Sequence, residues 1–148
     1  MSAPAPIAPE EVRRVVAARA LGVDGVTLST THLENFRDPK RSPVHLELAV
    51  GVPSTVHQSG RQMPGAAVLV TTELRVVLAW QLRPHDGAAS GDEAIALEGA
   101  LRSHLLGVDP TYPVGFGLVW QRHERRAGAP GWLYLEGVFL AHHYMTLA

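Results

Sequence analysis

Eight histidines are the residues of this chain whose type could support catalysis or metal binding. They are His32, His45, His57, His85, His104, His123, His142 and His143. None lies in an H-E-x-x-H pattern, which would place two metal ligands on one helix face. His142 and His143 are neighbours on a predicted strand, so they point to opposite faces of the sheet and cannot share one ion.

The best candidate metal site uses a strand that the sequence predicts at residues 44–52. His45 and Glu47 lie two positions apart in this strand, so we expect both side chains on the same face. A third ligand would come from elsewhere in the chain, either His123 or His142. The alternative interpretation is that these are solvated or hydrogen-bonded strand histidines. We favour that alternative, and therefore expect no metal and no cofactor.

No nucleophile or phosphate-binding loop stands out in the sequence. The chain contains no cysteine, which excludes thiolate chemistry and disulfides. None of its serines lies in a G-x-S-x-G pattern, and neither G-x-G-x-x-G nor a Walker lysine is present. Ser90 is better explained as the first residue of an S-x-x-E capping box with Glu93. The sequence therefore predicts a protein that is not an enzyme.

Length and composition are typical of one ordinary domain. The chain has 148 residues, of which 46% are hydrophobic and 18% charged, with a net charge of −1. This balance predicts no recognition of nucleic acid, and no apolar run reaches the ~20 residues that span a membrane. We expect a single domain over residues 1–148. Residues 1–8 lack the basic and apolar regions of a secretory signal, and we expect them to form a short, flexible, polyproline-like tail.

Two helices are predicted. The first begins at Pro9, followed by two acids that suit a helix start, and ends at Gly22. The second begins at the capping box of Ser90, and ends at Gly107. The apolar positions that would face a sheet are Val12, Val15, Val16 and Ala20 in the first helix and Ala94, Leu97, Leu101 and Leu105 in the second.

Five strands complete the predicted α+β fold. They lie at residues 25–30, 44–52, 66–83, 114–124 and 131–147, with loops at 31–43 and 53–65. The strict alternation of residues 66–83 predicts a strand far longer than the typical ~5–6 residues, so it should bend at a bulge or extend beyond its own domain. The last two strands flank a turn and form a C-terminal hairpin. We therefore expect a mostly antiparallel sheet with two helices on one face.

The last predicted strand has two apolar faces. One face carries Leu133, Leu135, Phe139 and Met145, and the other carries Trp132, Tyr134, Val138, Leu140 and Tyr144. Helices can cover only one of these faces. The other must contact more of this chain or another subunit, because an uncovered apolar face of that size promotes association.

Two basic runs add a second candidate contact surface. They are "RDPKR" at residues 37–41 and "RHERR" at residues 122–126, and either could contact an acidic partner or could be a solvated turn. The residues that we single out as a possible subunit or tube interface are Arg75, Arg83, Arg122, Arg125, Arg126, Trp132, Tyr134 and Tyr144.

The order of these elements resembles the tail terminator proteins of long-tailed bacteriophages and related phage-like particles. The resemblance covers roughly residues 9–147. It rests on "WQLRPHDG" at the end of the long strand, on the following "ALEGALRSHLLG" helix, and on a W-x-x-x-E-x-x-F pattern in the last strand. The residues of that pattern are Trp132, Glu136 and Phe139.

The resemblance implies a virion protein that forms a homo-oligomer, commonly a hexameric ring, at the head-proximal end of the tail. The ring would be assembled in the host cytoplasm, and would end polymerisation of the tail tube. Its partners would be the tail tube protein and a head-side connector or neck protein, with a sheath protein as a further candidate. The 53–65 loop and the "RHERR" tip would face the tube or the neck. The family has no catalytic residues to carry over.

Two alternatives remain open from the sequence. The chain could be another neck or tail-completion protein of the same particle. It could also be a small oligomeric α+β enzyme or metal-binding protein that uses His45, Glu47 and His142.

Overall fold

The computed structural model of this protein describes residues 5–107 and 116–148. The helices in this part of the chain are α1 (Pro9–Ala20), α2 (Leu33–Phe36) and α3 (Gly87–Leu106). The strands are β1 (Thr27–Leu28), β2 (Glu47–Ser59), β3 (Ala67–Gln81), β4 (Gly117–Ala127) and β5 (Trp132–Thr146). They form one sheet in the order β1-β2-β3-β5-β4, in which only β1 and β2 pair in parallel. This is the predicted α+β fold with its C-terminal hairpin.

Helices α1 and α3 pack on the same face of the sheet, as predicted. Helix α1 buries Val12, Val16, Ala17 and Ala20, and helix α3 contributes Ala94, Leu101 and Leu105. From the sheet, these side chains meet Leu48, Leu74, Leu78, Leu135 and Phe139. Because full burial of a leucine or phenylalanine side chain stabilises the fold by about 1.5–3 kcal/mol, this layer is the main core.

Strand β3 lies at the centre of the sheet and has 15 residues. It pairs with β5 over its whole length without a register shift, and with β2 on its other side. The register shifts lie in other strands: in β2 between Gly51 and Ser54 and between His57 and Ser59, and in the edge strand β4 between Trp120 and Arg122. The strand therefore does not extend beyond its own domain, and its register with β5 shows no bulge in β3.

Strand β2 differs from the prediction at both ends. It begins at Glu47 and not at residue 44, because Leu46 has a φ of 65° and interrupts the extended backbone. It then continues through residues 53–59, which the sequence predicts as a loop, and Ser54–Ser59 pair with β3. These residues are exposed, so no alternation of apolar and polar side chains marks them as a strand.

Helix α2 covers one end of the second sheet face, in a segment predicted to be a loop. Its Phe36 is fully buried and packs against Tyr134, Val77 and Ala79. The ring centroids of Phe36 and Tyr134 are 5.8 Å apart, in an edge-on arrangement. The chain itself therefore covers part of the face that the sequence predicts to need a partner, and Tyr134 is buried within the subunit.

Two helix ends differ from the predictions. Helix α1 ends at Ala20 with Leu21 as its C-cap, and Gly22 follows it. A side chain at Gly22 would clash with the His104 imidazole, so this glycine permits the close packing of the two residues. Helix α3 starts at Gly87, which places Ser90 inside its first turn, and the predicted capping box is wrong. The predicted C-terminal end of this helix is confirmed, with Gly107 as its C-cap.

The N-terminal segment is held against the sheet at Ile7, where the sequence predicts a flexible tail. The Ile7 N–H donates to Tyr144 O (2.8 Å). His143 Nδ1 lies 3.0 Å from Ile7 O, and its Nε2 lies 2.7 Å from Thr72 Oγ1. Because a carbonyl oxygen only accepts, His143 Nδ1–H is the donor to Ile7 O, and its other nitrogen bonds the Thr72 hydroxyl.

Several predicted boundaries need smaller corrections. Strand β1 has two residues where six were predicted. The hairpin turn lies at residues 128–131, because the arginines of the "RHERR" run belong to β4. Residues 1–4 of the predicted tail, and residues 114 and 115 at the predicted start of the hairpin, lie outside the described residues.

Candidate functional site

The residues of the candidate metal site do not come together. His45 lies before β2, packs on Trp80 with ring centroids 4.7 Å apart, and its Nδ1 accepts from the Gln81 N–H (3.0 Å). Glu47 pairs instead with Arg41, which packs over Phe36 on the opposite face of the sheet. The left-handed backbone of residue 46 explains this, because it breaks the alternation that would have aligned the two side chains.

His142 lies still further away along the sheet. It is opposite Thr71 in β3, whereas the segment carrying His45 bonds to Ala79. These two positions are roughly 26 Å apart along the strand. Within residues 5–107 and 116–148, no three His, Asp or Glu side chains lie close enough to hold one ion. Burial lowers the pKa of His45, but its contacts are those of a packed strand-end residue.

Arg83 belongs to a corner that fixes the start of α3. Its Nε lies 2.9 Å from both Asp86 carboxylate oxygens, and its Nη1 donates to Glu93 Oε2 (2.7 Å). The bond to Glu93, followed by that to Asp86, raises the pKa of Arg83. Ser90 Oγ accepts from Trp80 Nε1 (3.1 Å) and from the Arg83 N–H (3.3 Å). Arg83 therefore has a local folding role at this corner.

The two basic runs meet at one buried carboxylate. Arg37 Nη1 lies 2.7 Å from Glu136 Oε2, Arg75 Nη1 lies 3.3 Å from Glu136 Oε1, and Arg126 Nε lies 3.6 Å from Oε2. The Glu136 side chain is 1% exposed. We call these four residues the Glu136 cluster. It joins the segment after α2 to strands β3, β4 and β5.

Two further carboxylates balance the rim of this cluster. Glu73 accepts from Arg75 Nε (3.1 Å), and Glu124 accepts from Arg122 Nε (3.0 Å) and Arg126 Nη2 (2.9 Å). The bonds from Arg126 and then from Arg122 lower the pKa of Glu124. The positive charges of the arginines and the negative charges of the carboxylates in this region therefore nearly cancel. This balance favours a role in joining elements of the fold over the binding of a free anion.

The free edge of β4 carries an exposed aromatic side chain. Trp120 is 41% exposed and Val119 is 48% exposed. Trp120 Nε1 donates to His123 Nδ1 (2.8 Å), and the guanidinium carbon of Arg102 lies 4.7 Å from the ring centroid. We call Arg102, Trp120 and His123 the Trp120 patch; Val119 projects from the other face, because it lies opposite Leu140 whereas Trp120 lies opposite Phe139 of the helix-side core. Tryptophan and arginine are the residues most enriched where protein interfaces derive their affinity.

His123 is neutral in this patch near pH 7. Because the Trp120 indole N–H can only donate, His123 Nδ1 must be an acceptor and Nε2 carries the proton. Burial, followed by the charges of Arg102 and Arg125, lowers the pKa of His123 to about 4. This imidazole is therefore a fixed hydrogen-bonding group at physiological pH.

Arg125 links β4 to helix α3. Its Nη2 donates to Glu98 Oε1 (2.6 Å), and the Glu98 side chain is 2% exposed. Glu98 Oε2 is buried and has no hydrogen-bond partner among the described residues. A buried carboxylate without its counter-charge would destabilise the fold, so the ion pair of Arg125 with Glu98 stabilises the packing of α3 on the sheet.

A cleft of about 640 Å³ lies at the other edge of the sheet. Its walls are Pro9, Glu10 and Arg13 of α1, residues 28–33, and residues 49–52 of β2. Strand β1 ends at Leu28, whereas β2 runs on to Ser59, so the outer edge of β2 has no strand neighbour beyond β1. Among residues 5–107 and 116–148, the sheet therefore ends in two edges without a further strand neighbour, at β2 and at β4.

The residues singled out from the sequence thus separate into groups. Arg75 and Arg126 belong to the Glu136 cluster, with Arg122 at its rim, whereas Arg83 and Arg125 form ion pairs elsewhere. Trp132 packs beside the buried Tyr134, and Tyr144 is half-buried near the far end of β5.

Sequence reasoning missed the Trp120 patch and the cleft. Trp120 looks like one more apolar strand residue, and its only distinguishing signal was its place two positions before the basic run. The cleft forms because β2 continues well beyond the end of β1. No local sequence pattern predicts this difference in strand length.

Comparison with protein-family models finds no match, and comparison with curated protein sequences finds none either. No helix among the described residues is long and apolar enough to cross a membrane. The fold and its surfaces define an α+β protein with two free sheet edges and an aromatic patch on one of them.

Proposed function

We propose that this protein is a structural subunit that assembles into a ring, commonly hexameric, and caps the head-proximal end of a phage tail tube. The order of elements supports the proposal, because it resembles that of tail terminator proteins over residues 9–147. In that order, α1 precedes the sheet, β3 leads into the "WQLRPHDG" corner and α3, and the β4–β5 hairpin ends the chain.

One observation carries the proposal: two different surfaces lie at opposite edges of one sheet. The β4 edge carries the Trp120 patch, and the β2 edge carries the cleft. A contact between two different surfaces of identical subunits is heterologous, and heterologous contacts generate rings when the rotation closes. A subunit with this arrangement is suited to ring assembly.

The two hairpin turns give such a ring two distinct sides. The β2–β3 turn lies beside the first residue of β3, and the β4–β5 turn lies beside its last residue, Gln81. They are roughly 46 Å apart along the strand. We propose that one turn faces the tail tube protein and the other faces the head-side connector or neck protein.

Electron microscopy of tail tubes incubated with purified, gold-labelled protein tests this function. We expect label at one end of each tube only, and arrest of further growth when free tube subunits are added. Label along the tube wall, or none at saturating protein concentration, would contradict the proposal. Label on isolated connectors with bare tube ends would indicate another neck or tail-completion protein instead.

Variants of the two turns identify the side that faces the tube. Arg61→Gln removes a positive charge from the β2–β3 turn, and Ala129→Glu adds a negative charge to the β4–β5 turn, so each variant lowers the net charge by one. We expect one of these variants to lose end labelling and the other to keep it. Retention by both, with intact rings, would place the tube contact away from the turns.

A further inference from the structure

We propose that neighbouring copies join through their sheets, with the free edge of β4 in one copy beside the free part of β2 in the next. The free part of β2 is the stretch beyond β1, from Val50 to Ser59. This inference rests on the ring proposed above and names the contact that builds it.

Strand directions permit this contact without turning the subunit over. The pairs β2–β3, β3–β5 and β5–β4 are all antiparallel, so β4 runs opposite to β2. Two copies laid side by side in the same orientation therefore bring β4 antiparallel to the neighbouring β2. The helix layer of one copy then continues into the helix layer of the next.

The two free edges also lie at the same level of the sheet. Paired residues connect Val50 across the sheet to His123, and connect Val56 to Gly117. Free edges of this length offer unpaired N–H and C=O groups to another strand. Pro53 lies at the β2 bulge and has no N–H, so backbone pairing is confined to the residues on either side of it.

Exposed apolar side chains lie on matching faces of the two edges. Val56 is opposite Thr71 in β3, which is opposite His142 in β5, and Val119 is opposite Leu140. Leu140 and His142 are two positions apart in β5, so both valines project from the same sheet face. Each valine is more than 45% exposed in the single subunit, and an edge-to-edge contact would cover both.

Charge complementarity favours a second copy as the occupant of the cleft edge. On the helix side, Arg102 of the Trp120 patch would approach Glu10 of the neighbouring α1, which lines the cleft together with Arg13. On the other face, Arg122 of β4 would approach Glu34, an exposed acid in the first turn of α2. Like charges would meet if β4 approached the β4 of another copy.

Engineered cysteines test this contact, because the natural chain has none. Val119→Cys on β4 is combined in turn with Ser54→Cys, Val56→Cys and Gln58→Cys on β2. Within one copy, β2 and β4 are separated by two strands, or roughly 14 Å. This exceeds the ~7 Å between Cα atoms that a disulfide can bridge, so any disulfide must join two copies.

We expect at least one of these pairs to give a ladder of covalent multimers after mild oxidation, with every single-cysteine variant remaining uncrosslinked. Covalent dimers from Val119→Cys alone would mean that β4 meets β4, which would overturn the inference. Absence of cross-links from all three pairs, in preparations that contain rings, would overturn it and leave the proposed function standing. Absence of rings, even on tube ends, would overturn the proposed function itself.

Charge reversal provides a second test that a folding defect cannot imitate. Arg122→Glu and Glu34→Arg should each raise the protein concentration needed for half-assembly by about tenfold, and the double variant should return it close to the wild-type value. Asp92→Arg, at an exposed position of α3, is the control matched to Glu34→Arg for the size of the charge change. Failure of the double variant to recover, while both single variants are impaired, would overturn the proposed charge pairing.

Discussion

At Glu136, one buried carboxylate balances guanidinium groups from three parts of the chain. Arg37 follows α2, Arg75 lies in β3 and Arg126 lies in β4. The sequence places the two basic runs more than 80 residues apart, and it gives no indication that they share a counter-charge. The spacing of Trp132, Glu136 and Phe139 brought this glutamate to notice only as part of a pattern.

Glu136→Gln should destabilise the fold by about 2–4 kcal/mol, because a neutral amide cannot balance the arginines that remain. Glu73→Gln removes a carboxylate from the rim of the same cluster, where solvent reaches the pair, and should cost less than about 1 kcal/mol. Urea denaturation of both variants measures the difference. Equal stabilities for the two variants would contradict a central role for Glu136.

His123 should make the stability of the protein depend on pH. Its pKa is lowered to about 4 in the folded protein, against 6.5 in the unfolded chain. As the pH falls through this window, the unfolded chain binds a proton that the folded protein does not, so stability is lost. Well above pH 6.5 the His123 imidazole is neutral in both the folded and the unfolded protein, so it no longer makes the stability depend on pH.

The variant His123→Asn retains an acceptor for the Trp120 N–H but cannot titrate. We expect it to lose less stability than the wild type between pH 7 and pH 5, as measured by denaturation at each pH. His85→Asn in the exposed turn before α3 is the control, and should follow the wild type. The same pH dependence in all three proteins would show that folding does not lower the pKa of His123.

Among the elements, the corner between β3 and α3 shows how a local pattern can mislead. Ser90 and Glu93 have the spacing of a capping box, yet the helix begins three residues earlier, at Gly87. Ser90 instead accepts the indole N–H of Trp80 from inside the helix, and Glu93 binds Arg83. Serine and glutamate are common at helix starts, but here Ser90 and Glu93 make tertiary contacts instead.

Ser90→Ala should destabilise the fold by about 1–3 kcal/mol, because it leaves the buried Trp80 N–H without an acceptor. Ser103→Ala changes the same residue type at an exposed position in the same helix, and should have little effect. Thermal unfolding of the two variants provides the comparison. A larger loss from Ser103→Ala would contradict this account of the corner.

The elements also show which parts of the fold the sequence could predict. The alternation of β3 and the two apolar faces of β5 were read correctly, since burial imposes a pattern on both strands. Residues 53–59 were missed because a strand exposed on its outer edge carries no such pattern. Helix α2 was missed because four residues are too few to show a helical period. The left-handed backbone at Leu46 was missed because no sequence pattern predicts it for a leucine.

The candidate interface was predicted less well than the fold, for a related reason. An arginine in a strand can form an ion pair within the subunit or contact a partner protein. The residue type alone does not distinguish these two roles. Arg125 is committed to Glu98 inside the subunit. The Trp120 patch became visible only when the position of β4 at the sheet edge was known.

As a whole, the molecule is asymmetric in two directions. Across the sheet, a cleft at one edge contrasts with an aromatic patch at the other, and this asymmetry is suited to repeated head-to-tail contacts. Along the strands, the two hairpin turns lie at opposite ends of β3. A ring built from such subunits would have two different sides, as a cap between a tube and a neck requires.

The mass of the native particle, measured by light scattering with and without tail tubes, tests the central claim most directly. The single chain has a mass of 15.9 kDa. We predict a discrete particle of about 95 kDa, the mass of a hexameric ring, either free in solution or recovered from tube ends. A protein that remains a monomer at high concentration and does not associate with tubes would contradict the account.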